Sequence, residues 1–135
     1  MRKLGLLLLA TTLCLPLQAQ RPCETPRLPF NVGELQDLYK TYNRTYWDGK
    51  LPANATVVWT GLNKERFGET TTDGNGRFVI RLDVMKNRER NVAKTTILHE
   101  MCHVKTYGQD KTDHGPRWLA ELHRIMLEGA FDDLV

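Results

Sequence analysis

Apolar positions change their period several times along this chain. Leu4 to Leu17 is an apolar stretch of 14 residues that follows Arg2 and Lys3. It falls short of the roughly 18–20 residues a membrane-spanning helix needs, and Ala19 supplies a small residue at its end. Residues 1–19 therefore read as a secretory signal peptide. Pro22, Pro26 and Pro29 make residues 20–30 an extended lead-in. Asn31 and Glu34 have the N-x-x-E form of a capping box, and Val32, Leu35, Tyr39, Tyr42 and Tyr46 follow at helical spacing. Asp48-Gly49 ends that helix, with Gly49 suited to a left-handed cap and Pro52 just beyond.

The period then shortens. Thr56 to Trp59 is β-rich, Phe67 to Thr71 is a weaker strand, and Arg77 to Leu82 alternates polar with apolar. Asp73-Gly74-Asn75-Gly76 is a turn signal between the last two. These segments predict a small sheet of three strands, mostly antiparallel, with Phe78 to Leu82 as a candidate edge for pairing with an extended peptide. Helical spacing returns from about Arg88 to Tyr107, with Gly108 as C-cap. A polar loop, Gln109 to Asp113, leads to Gly115-Pro116, which opens a third helix whose buried stripe is Trp118, Leu122, Ile125 and Met126. Helix, small sheet, helix, helix is an α+β order, and residues 31–135 suit one domain.

Composition changes the picture at one point. Over the whole chain 19 Lys+Arg face 16 Asp+Glu, a net +3 that invites a nucleic-acid reading. Without residues 1–19 the basic count is 17 and the net charge +1, which removes most of that invitation. Three cysteines exclude a disulfide-dense miniprotein and a four-cysteine zinc ribbon. Once the leader is cut, Cys23 and Cys102 remain, and an oxidising compartment would allow them to pair. Lys86, Arg88, Arg90 and Lys94, with Glu89 among them, read as a solvated helix face. Asn43-Arg44-Thr45 and Asn54-Ala55-Thr56 match the glycosylation pattern.

The chemistry lies in His99-Glu100-Met101-Cys102-His103, an H-E-x-x-H segment within the second predicted helix. Residues at i and i+4 stand one above the other on a helix, so two imidazoles can converge on one metal ion. Glu100 is rotated about 100° from His99, near enough to act as a base without being a ligand. A catalytic zinc takes three protein ligands and keeps a fourth position open. His114, eleven residues after His103 and beyond the helix stop, is the candidate third ligand. Glu121 is the alternative, giving a His-His-Glu set, while His123 reads as a surface residue and Cys102 as small apolar packing. The metzincin extension needs Gly at 106 and His at 109. Thr106 and Gln109 exclude it.

His99-Glu100-Met101-Cys102-His103 followed by His114-Gly115-Pro116-Arg117-Trp118 resembles the SprT-like metalloprotease family. The resemblance extends upstream through Leu35 to Trp47, Gly49-Lys50-Leu51-Pro52 and Val57-Val58-Trp59, covering roughly residues 32–126. It implies a zincin-like fold, one catalytic Zn²⁺ on His99, His103 and His114, and Glu100 as general base. The expected function is that of an exported zinc endopeptidase, secreted or periplasmic and monomeric, acting on a protein or peptide. The mature chain is expected to have no transmembrane segment. The resemblance also brings in a DNA setting, against which near-neutral charge and export both argue. The alternatives are a zinc-stabilised binding module without catalysis and a nucleic-acid-associated protease of the same type.

Overall fold

A computed structural model describes residues 27–63 and 65–134. The predicted signal peptide over 1–19 and the Cys23 half of the possible disulfide lie outside the described residues. Cys102 itself is buried in the core.

The first helix, α1, runs Val32–Trp47 and begins as its sequence dictates. Asn31 Oδ1 accepts the Glu34 amide at 2.9 Å, and Glu34 Oε2 accepts the Asn31 amide at 2.7 Å. The helix ends at Asp48, which is itself left-handed (φ 53°), one residue before the expected Gly49 (φ 71°). The Gly49 amide then closes on the Asn43 carbonyl at 2.9 Å. The buried line is Leu35, Tyr39, Asn43 and Trp47, rotated from the predicted stripe. Val32 is 54% exposed, and Tyr42 and Tyr46 only flank the core. Asn43 explains the difference: its amide donates to the Leu51 carbonyl and accepts the Leu51 amide, both at 3.0 Å, so a polar residue sits on the inward line. Buried and doubly bonded, Asn43 is no glycan acceptor, whereas Asn54 is exposed.

Three strands follow, β1 (Thr56–Thr60), β2 (Gly68–Thr72) and β3 (Phe78–Asp83), in the spatial order β1-β3-β2. The turn at 73–76 joins β2 and β3 as an antiparallel hairpin, Thr72 opposite Phe78. β1 pairs with β3 in parallel, Thr56 beside Val79. The sheet is thus mixed, with one pairing of each kind instead of mostly antiparallel. Phe78 to Leu82 is its centre, not an edge; among the described residues the free edges are β1 and β2. Only a crossing connection can bring two parallel strands together, and residues 61–67 supply it by carrying β2 past the slot that β3 fills.

Helix α2, Arg90–Thr106, packs on the inner face of this sheet, and α3, Pro116–Leu127, packs on α2. Ala93, Ile97, Leu98, Met101 and Cys102 of α2 meet Val57, Ile80 and Leu82 of the sheet, Leu35 and Tyr39 of α1, and Trp118 and Ile125 of α3. Each fully buried aliphatic side chain contributes about 1.5–3 kcal/mol. On α3 the predicted stripe holds for Trp118 and Ile125, but Leu122 is half-buried and Met126 is 50% exposed. Buried polar side chains fix how α2 meets the sheet. Asn87 donates to the carbonyls of Phe67 and Asp83 and accepts the Thr96 hydroxyl at 2.6 Å, tying both strand ends to the helix. At the head of the domain, Phe30 is buried with its carbonyl bonded to the Trp59 indole. Among the described residues no helix is long and apolar enough to cross a membrane.

Candidate metal centre

Helix α2 carries His99 and His103 one turn apart, both half-buried, with ring centroids 5.1 Å from each other. His114 arrives from the loop between α2 and α3. Gly108 turns that loop back in a left-handed conformation (φ 70°). Asp110 then fastens it: its carboxylate accepts the amides of Arg117 and Trp118 at 3.0 Å, capping the start of α3 from outside the helix. Gly115 lies against the same side chain so closely that a Cβ there would stand 2.6 Å from Asp110 Cβ. His114 is held between these two points.

The loop brings His114 Nε2 to 3.1 Å from His99 Nε2 and 3.2 Å from His103 Nε2. Among the described residues these three form the cluster able to hold a metal ion, their ligand atoms all within 4.8 Å of one another. An ion with Zn–N bonds of about 2.0–2.1 Å in tetrahedral coordination holds its nitrogens about 3.3 Å apart, so the donor set fits zinc. Burial first, and then the neighbouring imidazoles, push His99 down to about 4. Burial and His114 do the same for His103. Both rings are neutral near pH 7, the state a metal needs. Trp118, 5% exposed, backs all three rings at centroid distances of 4.7, 5.2 and 4.4 Å.

Glu100 lines the same cleft as the three histidines and reaches across to strand β2. It is 4% exposed, and burial pushes its carboxyl up to about 7 against the opposing hydrogen bond from Thr70. The Thr70 hydroxyl, on edge strand β2, lies 2.7 Å from Glu100 Oε2 and 3.2 Å from the Glu100 carbonyl. A cleft of about 1210 Å³ opens over the cluster, bounded by β2, α2 and the loop at 108–114.

The other candidates stand apart from this centre. Glu121 stands outside the cluster, accepting the Trp47 indole at 2.6 Å and the Arg124 guanidinium at 2.7 Å. His123 is exposed on α3. Burial raises the Cys102 thiol to about 12, so it packs and does not react. Of the basic run, Arg90 lies over the Phe30 ring at 4.0 Å and bonds the Pro29 carbonyl, and Lys86 sits over Phe67. Sequence reasoning missed Thr70, Gly68 and Asp110. Nothing local marks a threonine or glycine on a weak strand as a neighbour of Glu100. Asp110 carried a usable signal, an acidic residue shortly before a proline-started helix that lacks a capping side chain of its own.

Comparison with known proteins adds an independent finding. The sequence profile described as the SprT-like family matches residues 35–132. The chain is similar to the "DNA-dependent metalloprotease SPRTN" of Rattus norvegicus, 34% identical over 105 residues, 72% of this chain and 21% of that protein. The Mus musculus protein gives the same figures, and the Homo sapiens protein is 32% identical over 99 residues, 68% and 20% respectively. The chain thus spans about a fifth of the length of these relatives.

Proposed function

The chain belongs to the SprT-like family, and on that premise we propose that it is a zinc-dependent endopeptidase. The observation that carries the reading is the convergence of three imidazole nitrogens beside one buried carboxyl. His99, His103 and His114 would hold Zn²⁺. When bound, the ion polarises the scissile carbonyl and makes water a nucleophile near neutral pH. Glu100 takes the proton of the attacking water and returns it to the leaving amine. Thr70 occupies Oε2, which leaves Oε1 for that proton. Edge strand β2 borders the cleft and offers its unpaired backbone to an extended peptide, the role the sequence assigned to Phe78–Leu82. All three imidazoles come from one chain, which supports action as a monomer. A purely structural zinc site has no use for a buried base and is closed by a fourth protein ligand, which disfavours the binding-module alternative.

The test is zinc content and cleavage of dye-quenched casein for the purified chain, Glu100→Gln and His114→Ala. Glu100→Gln should keep zinc and lose cleavage, and His114→Ala should lose both. Full cleavage by Glu100→Gln would sink the mechanism. We propose also that residues 1–19 direct export, followed by the lead-in 20–30 and the protease domain 31–135. Protein recovered outside the cytoplasm should begin near Gln20, and uncleaved cytoplasmic protein would refute export.

A further inference from the structure

We propose that Thr70 is a positioning residue for Glu100, and that Gly68 makes the space in which it works. The inference rests on the reading of Glu100 as general base. Two observations on β2 carry it, one of bonding and one of space. The Thr70 hydroxyl donates to Glu100 Oε2 at 2.7 Å, and its second neighbour is the Glu100 carbonyl at 3.2 Å. With a single proton to give, the hydroxyl bonds the carboxyl at the shorter distance, and the carbonyl of the same residue is a close neighbour only. A glutamate has three rotatable bonds, and this hydrogen bond removes the swing that would carry Oε1 away from the reacting centre.

Gly68 stands two residues earlier, on the same face of β2 as Thr70. A Cβ there would meet Thr96 Cγ2 at 2.8 Å and Glu100 Oε1 at 2.9 Å. Gly68 has no positive φ, so space, not backbone freedom, is what requires glycine. The strand backbone lies directly against the carboxyl. Thr70 draws on one oxygen while Gly68 leaves room for the other. β2 is also a free edge of the sheet, so the strand that borders the cleft holds the base in register with whatever the cleft admits.

The experiment compares the wild-type chain with Thr70→Val, Thr70→Ser, Gly68→Ala and Glu100→Gln. Zinc content, thermal unfolding, and kcat and KM on dye-quenched casein are measured for each. Valine keeps the size and the strand preference of threonine and removes only the hydroxyl. Thr70→Val should lower kcat by about 10- to 100-fold while KM stays within about twofold. Its zinc content should equal that of the wild type. Thr70→Ser should restore most of kcat, which a merely structural threonine would not require. Gly68→Ala, acting on the other oxygen, should lower kcat with zinc retained. The inference is overturned by wild-type kcat in Thr70→Val, or by a loss in Thr70→Val that Thr70→Ser fails to recover. If Glu100→Gln cleaves as well as wild type, it is the reading of the base that fails, a result separable from the other two.

Discussion

Burial acts on the imidazoles of His99 and His103 and on the carboxyl of Glu100 in opposite senses. His99 and His103 are pushed down to about 4 and Glu100 up to about 7, so both kinds of group favour their neutral forms. In the metal-free protein this sets the pH dependence of stability. Between about pH 4 and 6.5 the unfolded chain protonates two imidazoles that the folded chain leaves neutral, so their contribution falls as pH falls. Glu100 opposes this. Its raised value gives stability that is present at low pH and lost as pH rises toward 7. Two groups outweigh one, so the Tm of the chelated protein should drop from pH 7 to pH 5. Glu100→Gln should steepen that drop, since it removes the opposing carboxyl, and a shallower slope would refute the assignment. At this scale the approach of His99 to His103 was legible, because helical spacing alone brings them together. His114 was legible as one candidate beside Glu121, which the fold bonds to Trp47 and Arg124 outside the histidine cluster. Thr70 was not legible, because its partner lies 30 residues away in sequence.

Elements differ in how much of their own end they encode. The Asn31–Glu34 box, the turn at 73–76 and Pro116 each specify a boundary through local bonding, and the structure follows them. The inward line of α1 was misread because Asn43 is polar yet satisfied by Leu51, a partner beyond the helix. The parallel pairing of β1 with β3 was equally hidden, since alternation tells which face is buried and not which strand lies beside which. Helix α3 takes its cap from Asp110, five residues ahead of its N-cap Gly115, and that loan couples the helix to the metal centre. Asp110→Ala should cost about 1 kcal/mol in urea unfolding of the metal-free protein. It should also weaken zinc binding, because the loop bearing His114 loses its anchor. A variant that loses stability but binds zinc as before would show that the cap serves the helix alone.

For the molecule as a whole, charge bears on the choice of partner. Among the described residues the cleft is lined by six carboxyl side chains against two basic ones, Arg66 and Lys111, a poor surface for a phosphate backbone. Although the relatives are named as DNA-dependent, this chain should cleave casein at the same rate with and without single-stranded DNA. Stimulation that fades steeply with added salt would instead favour the nucleic-acid-associated alternative. The threading of β3 between β1 and β2 has a consequence for the order of assembly. The β2–β3 hairpin closes through a five-residue connection, a microsecond event, whereas β1 must find a partner 23 positions along the chain. Until it does, the flank of β3 that β1 will cover is an open edge, ready to pair with another chain. The β2–β3 hairpin should therefore form early and locally, gaining amide protection ahead of β1 in pulsed hydrogen exchange during refolding. The slower search should be that of β1, on the side of the sheet away from the cleft.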